Sequence, residues 1–445
     1  VGGFRSKREK RADHLQWVEI DLGQTYKIDE VILVPEIRRS TNTNLLTDGF
    51  PEAFRILAGT AADQKGKVIA SYTSDDKILP RIAPLVIACD DIEASWIRLE
   101  ATTLSPRAWD GGYALHLFEM LVFSGHENVA LHQPVKASSQ NVLASDKYNP
   151  ALLVDGFLPY VMDTAKGERS PAFVATSSPD QPGYLSIDLG KAQTLDQVHL
   201  HAVDLSDAIP QKRFNNFGMP RHMIVEGANA EDFNDAITLT EFKVASVFEA
   251  GPILMKRFPA FSCRYVRLRV LEPNIELSPE AGAPAYSNIG FAEIELFSNG
   301  INVAKAKQAN GNYGFSTFNR SYASLTDGRN FYGDILPIRQ WLNELALRHE
   351  LERQRPQLAL RLNELYEEQK SQLNRLIALA VILAAAMIVT LLVTRMTRMR
   401  QLAKIRLRLA ADLHDELGAN LHTIGLLSDL AVESREDDEA FADIQ

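Results

Sequence analysis

The chain has 445 residues, which excludes a single hydrophobic core and, at roughly 150 residues per domain, predicts about three units. At 46% hydrophobic and 23% charged residues it is globular in composition, not disordered. A net charge of −10 argues against direct nucleic-acid binding, and only two cysteines, Cys89 and Cys263, argue against a disulfide framework and for two buried free thiols.

Val1 is not an initiator methionine, no charged-then-apolar leader precedes the first strand-like run, and Gln445 falls inside a helical pattern. The expectation from these ends is a fragment of a longer protein.

The N-terminal two thirds read as β throughout. Runs such as WVEIDLG, IDEVILV, AFRILA and SWIRLEA are short, rich in β-branched and aromatic residues, and bounded by Gly, Asp, Asn and Pro. An internal repeat is visible. WVEIDLGQTYKIDEVILV (17–34) matches YLSIDLGKAQTLDQVHLH (184–201), WIRL (96–99) matches YVRL (265–268), and LFEMLVFSGHENVA matches FAEIELFSNGINVA. The cysteines fall in different repeats. Each unit closes on NVA, which also opens the next, so the expected boundaries are 1–126, 127–300 and, at 301–336, a partial third repeat or linker with one or two strands that can pack on the second sandwich.

These residues resemble the discoidin, or coagulation factor type C, family. The second unit carries nearly the whole pattern: NVALHQPVKASS, ALLVDG, PGYLSIDLG, YVRLRV and FAEIELFS. The resemblance implies tandem all-β, jelly-roll-like sandwiches whose end loops bind sugars, lipid headgroups or proteins. The first unit lacks the opening strand of that pattern. Trp109, Tyr113, Tyr160, Arg169 and Phe217 lie in loop-like stretches and are candidate ligand residues, with ordinary loop packing as the alternative. The resemblance also implies a structural calcium, for which Asp155 of VDG and Glu293 of FAEIE are the candidate ligands; hard oxygen donors suit that ion. There is no zincin motif, nucleophile elbow or phosphate loop here, so this half reads as a binding module, not an enzyme.

From Leu336 the period changes from two to about 3.5. Leu351, Leu358 and Leu365 recur at seven with Leu362, Gln369 and Leu376 interleaved, which predicts a parallel coiled-coil stalk over 337–375. An intramolecular helical hairpin packed on the sandwich is the alternative. Pro356 predicts a kink or two helices, 337–355 and 356 onward.

Residues 376–394 (LIALAVILAAAMIVTLLVT) hold no charge, Pro or Gly over 19 residues, close to the ~20 that span a bilayer. The basic juxtamembrane segment 395–403 and the cations after it, Arg395 to Arg408, place the C-terminal side in the cytoplasm by the positive-inside rule. Residues 1–375 are then periplasmic or extracellular and 395–445 cytoplasmic, in a bacterial inner membrane crossed once.

Over 404–445, Ile405, Leu409, Leu413, Leu417, Leu421, Ile424 and Leu427 form one apolar stripe, with His414 and Asp415 beside it. An imidazole next to a carboxylate suits phosphoryl transfer, although a lone pair of this kind is usually a solvated surface pair. The 28 residues KIRLRLAADLHDELGANLHTIGLLSDLA (404–431) resemble the dimerisation and phosphoacceptor domain of the histidine kinase subgroup that includes the nitrate/nitrite sensors. The resemblance implies a dimeric four-helix bundle, His414 as phosphoacceptor, Asp415 as its acid/base partner, ATP and Mg2+ bound by a further domain, and a response regulator receiver domain as phosphate acceptor. His422 lacks such support. Ala419 stands where the family often has Gln or His, which puts phosphatase activity in doubt. Glu433 to Glu439 reads as a turn before a second bundle helix. No ATP-binding motif follows within the 445 residues, so the expected function is that of a two-component sensor kinase whose catalytic domain lies elsewhere. The alternative is a membrane-tethered carbohydrate- or protein-binding receptor without kinase activity.

Overall fold

The computed structural model describes residues 2–39, 45–107, 110–141, 147–177, 183–203, 219–244, 252–273, 287–313 and 321–442. The chain divides into two units, Val1–Arg353 and Gln354–Gln445.

The first unit holds two β-sandwiches, each built around one long bent strand. In the first, Gln16–Pro35 alternates buried and exposed side chains through Val18, Ile20 and Leu22, as a half-buried strand must. It pairs with Leu85–Thr103 along its length, with register shifts between Asp21 and Tyr26 and between Ile28 and Glu30. Such irregularities bend a strand and let it serve two layers. Its first half takes Val135–Ala137 on the other edge and its second half takes His116–Ser124. The sheet order runs Phe4–Arg5, His116–Ser124, Gln16–Pro35, Leu85–Thr103, Ala53–Gly59, Lys67–Tyr72.

The second sandwich repeats this plan. Tyr184–His201 pairs with Ile253–Glu272, takes Gln308–Gly311 beside its first half, and takes Glu293–Ser298 beside its second. His222–Ala228 and Ile237–Lys243 extend the sheet on the far side of Ile253–Glu272. The opposing layer includes Phe173–Ser177 paired with Ser287–Phe291.

The expected boundary at 126/127 does not coincide with the packing. Residues after the first closing strand complete the first sandwich: Val135–Ala137 joins its sheet, and Val129, Ala130, Leu153 and Val154 enter its core. Likewise Gln308–Gly311, Ala304 and Leu325 of the 301–336 segment complete the second. Similarity marks where the repeat begins in sequence. Pairing is decided by which open sheet edge lies nearest, and the segment that follows a closing strand reaches that edge by a short connection.

A third apolar cluster joins the sandwiches. Ile32, Phe118 and Leu121 of the first meet Ile253 and Met255 of the second, with Phe157 and Leu158 between them. The first turns of the C-terminal helix, Ile338–Ala442, dock here through Trp341 and Leu342. Burying side chains of this size stabilises by about 1.5–3 kcal/mol each. The start of the expected stalk is thus packed against the sandwiches.

Pro356 lies inside one helical element, not between two helices. It removes one backbone donor at a cost of about 3 kcal/mol, and the flanking Leu, Gln, Arg and Glu residues, all good helix formers, carry the helix past it. The expected turn at Glu433 to Glu439 is helical as well; that stretch has no Gly or Pro to stop it.

In the second unit the heptad leucines Leu351 (just before its start), Leu358, Leu362 and Leu365 correspond to exposed positions, as do the residues of 376–394. The helix is long and apolar enough to cross a membrane. The two threonines of 376–394 satisfy their hydroxyls internally: Thr390 Oγ1 donates to the Ala386 carbonyl at 2.8 Å and Thr394 Oγ1 to that of Thr390 at 2.7 Å. An apolar surrounding demands this, because an unpaired hydroxyl there costs several kcal/mol, on the order of 2–7.

Candidate functional site

The two sandwiches share a clamp. Gly156 of VDG, at φ +83°, donates its N–H to Glu119 Oε1 at 2.9 Å. Gly328 of TDG, at φ +75°, donates to both carboxylate oxygens of Glu293 at 3.1 Å. Only glycine adopts this backbone without strain. Each closing-strand glutamate is thereby pinned under the DG turn that follows it. Burial and the neighbouring Asp155 push the Glu119 carboxyl well above its ordinary range. Burial, with Glu295 adding to it, pushes Glu293 up to about 9.

This arrangement corrects the expected calcium pair. Asp155 lies beside Glu119, whereas Glu293 lies beside Asp327 and the DG turn of the second sandwich. The residues fit a hard cation better at Glu119 and Asp155, where the fully buried Glu119 carboxyl lies against a second carboxylate. At Glu293 both oxygens are already engaged by Gly328, and Lys305 supplies positive charge nearby.

A cavity of about 320 Å³ opens on the second sandwich. Its rim is a hairpin, Arg329–Asn330 paired with Gly333–Asp334, whose two-residue tip is Phe331 and Tyr332. Asn330 holds the hairpin in place: its Nδ2 donates to the Met162 carbonyl at 2.9 Å, its Oδ1 accepts from Tyr332 N at 2.8 Å, and its carbonyl accepts from Ser170 N at 2.9 Å. The Phe331 ring is 46% exposed, and the Arg169 guanidinium lies 5.6 Å from its centre. Val161, Val203 and Ile253 give the cavity an apolar lining, with His201 at one side. An aromatic face beside a guanidinium over an apolar floor suits a ligand with both C–H faces and hydroxyl or acidic groups.

Among the described candidate ligand residues, only Arg169 belongs to this cavity. Tyr160 is 2% exposed in the junction between the sandwiches, and its hydroxyl donates to the Ile82 carbonyl at 3.2 Å, so it is a core residue. Tyr113 is half-buried against the first core, bridged to Glu9 and Pro106 through its backbone. Trp109 and Phe217 lie outside the described residues. Cys263 is buried and Cys89 half-buried, both free, and burial pushes each thiol up to about 11. The residues that sequence reasoning missed are Phe331, His199, His201 and Glu295. For His199 and His201 the sequence signal is HLH where the first repeat reads ILV, and for Glu295 it is a glutamate where the first repeat has Leu121.

His414 and Asp415 are adjacent and exposed on the helix, and His422 is exposed as well. Ile405, Leu409, Leu413, Leu417, Leu421, Ile424 and Leu427, at helical spacing, are all more than half exposed.

No protein-family model matches the chain, and the comparison with curated proteins gives no match. Solved structures similar to it include the CBM32-1 and CBM32-2 domains of ZmpB from Clostridium perfringens in complex with GalNAc. That likeness is at 9% identity over 65% of this chain and 82% of that one, with a TM-score of 0.20. A fucolectin from striped bass (Morone saxatilis) serum is similar at 14% identity over 66% and 84%, with a TM-score of 0.18. At these scores nothing about a ligand passes from those proteins to this chain.

Proposed function

We propose that this chain is the sensing and phosphoacceptor part of a membrane sensor histidine kinase in a two-component system. The observation that carries the reading is the 404–431 helix, where an exposed His414–Asp415 pair flanks a wholly unpartnered apolar stripe, a short basic segment after the apolar span. In this reading the outer sandwiches take a carbohydrate or protein ligand, with the Arg169–Phe331 cavity as the site in the second. The span crosses a bacterial inner membrane with residues 1–375 outside and 395–445 in the cytoplasm. The stripe packs against a second copy of the chain, because burying seven large apolar side chains is what a bundle requires. A structural calcium would be held by Glu119 and Asp155.

The chemistry asks little of the chain beyond presentation. ATP with Mg2+, held by a further domain, would supply the phosphoryl group. A neutral ring nitrogen of His414 forms the N–P bond while the bond from phosphorus to the ADP oxygen breaks, its electron pair leaving with ADP. Asp415 orients the ring and accepts the proton from its other nitrogen. Exposure of both residues lets a catalytic domain, and later a response regulator, reach the same atom. Ala419 brings no polar group to a dephosphorylation step.

The test is labelling of the full-length protein in membrane vesicles with labelled ATP, wild type beside His414→Gln. Acid-labile, base-stable label in wild type alone is the expected result. Equal label in both moves the acceptor, with His422 next in line. No label in either, with both proteins folded and ATP accessible, leaves a tethered binding protein, the reading that the cavity by itself favours.

A further inference from the structure

The sheet face of the second sandwich that is turned away from its own core carries a polar cluster where the first sandwich is apolar. By the repeat, His199, His201 and Glu295 stand where Ile32, Val34 and Leu121 stand. The register agrees: His199 pairs across with Glu295 as Ile32 does with Leu121. Ile32, Val34 and Leu121 all belong to the apolar junction. The three polar residues are just as buried. His201 Nε2 lies 2.9 Å and His199 Nδ1 3.4 Å from Glu295 Oε2, and the three donor atoms fall within 4.8 Å of one another. His199 Nδ1 is buried, and its contact is the 3.4 Å approach to Glu295 Oε2.

We propose that His199, His201 and Glu295 bind a divalent transition cation of the zinc class. Burying imidazole and carboxylate groups where aliphatic ones suffice costs free energy that a bound cation offsets. The donor set is chemically selective. Two imidazole nitrogens with one carboxylate suit zinc, cobalt, nickel or copper, whereas calcium and magnesium require an all-oxygen shell. The two distances to Glu295, 2.9 and 3.4 Å, fit as well: bonds of about 2.0–2.1 Å in a tetrahedron hold donor atoms about 3.3 Å apart. Strand geometry supplies the alignment, since positions 199 and 201 share one face and 295 lies across from 199.

The surroundings meet the remaining needs. Asn302 Nδ2 donates to Glu295 Oε1 at 3.2 Å, fixing the carboxylate. The Gln197 amide meets His199 Nε2 at 2.6 Å. The atom placed there is the amide nitrogen; with a cation bound the amide turns over, so that its carbonyl oxygen accepts Nε2–H and leaves the Nδ1 lone pair to the cation, the usual outer support of a metal-bound imidazole. Three protein donors leave a fourth position, and His199 and Glu295 line a cavity of about 320 Å³ that also touches Pro337, Ile338 and Arg339 at the start of the helix. The fourth position falls to water or to a donor atom of a ligand in that cavity. Among the described residues no other group of three such donors converges. This inference stands independently of the kinase reading.

The test uses the full chain in detergent, stripped with a chelator and titrated with Co2+, then Zn2+. The expected result is the visible absorption of tetrahedral cobalt at one equivalent, displaced by zinc. His199→Gln and Glu295→Gln should each bind at least about tenfold more weakly. A variant carrying the first repeat's residues, His199→Ile, His201→Val and Glu295→Leu, should fold by circular dichroism and show no cobalt band, while His222→Gln on the Ile237–Lys243 side of the sheet keeps it. Absence of the band in wild type, or its persistence in the folded triple variant, overturns the proposal.

Discussion

The Arg339 guanidinium donates to Glu30 Oε1 at 3.0 Å, tying the first turn of the C-terminal helix to the long strand of the first sandwich. The same group donates to Asp29 Oδ2 at 3.0 Å and to the Gly125 carbonyl, and it lies over the Phe123 ring. Asn343 adds a second donor to Glu30 at 3.1 Å, and Arg81, 2% exposed, reaches Glu350 at 3.1 Å one face further along. The helix therefore leaves the sandwiches through a set of charged bonds as well as through Trp341. These bonds fix its first turns to the first sandwich.

Arg339→Ala is expected to destabilise the sandwich unit by about 1–3 kcal/mol, because Glu30 stays buried with only Asn343 to satisfy it. Thermal melting followed by near-ultraviolet circular dichroism checks this. A melting temperature equal to wild type would show that the tether carries no stability.

The junction between the sandwiches should weaken in acid. His132 Nε2 donates to the Met255 carbonyl at 3.0 Å, joining the two sandwiches. Burial pulls its pKa below the ordinary value; the bond to Met255 opposes this, and Lys256 and Arg257 reinforce it. The unfolded chain then takes up the proton more readily than the folded one. Stability is whole above about pH 6.5 and falls as the pH drops from there to the folded value. His132→Gln should flatten that fall in melts at about pH 5 and about pH 7.5. An unchanged acid slope would remove His132 from the account.

Arg169→Ala and Phe331→Ala should each weaken binding of any carbohydrate captured by the full chain, by roughly tenfold or more, with melting curves unchanged because both side chains are exposed. A glycan array followed by titration of the best binder reads the effect. Full retention by both variants would place the ligand elsewhere.

Added calcium should raise the melting temperature of chelator-treated protein, and Glu119→Gln should abolish the increment while Glu293→Gln leaves most of it. The asymmetry follows from the second carboxylate, Asp155, beside Glu119, against the Glu293 carboxylate whose two oxygens both accept from Gly328. No calcium response in wild type would rule out a cation at Glu119 and Asp155.

Much of this architecture was legible in the sequence because it rests on local pattern. Alternation in WVEIDLG and YLSIDLG, the uncharged run 376–394 and the stripe through Leu409 to Leu427 each announce an element by period alone. What was not legible depends on distant pairing. Tyr160 follows Gly-Phe-Leu-Pro and reads as a loop aromatic, yet it is buried by strands and a helix far away in the chain. Arg169 gained its meaning from Phe331, on a hairpin formed by residues expected to be a linker. The His199, His201 and Glu295 cluster sits between those cases. Its alternation was visible, but only the register across to Glu295 gives it a third donor.

The displaced boundary of the sandwiches bears on how such a chain can be cut or shuffled. The unit that was duplicated in sequence and the unit that closes in space are offset by one strand. Severing the chain at residue 126 would strip Val18 to Ile20 of their neighbour, and severing it at 300 would do the same to Leu185 to Asp188. Each cut would lay bare an adhesive edge. Fragments prepared for crystallisation or grafting should therefore end after the DG turns at 156 and 328, and an inserted repeat would have to bring its finishing strand behind it.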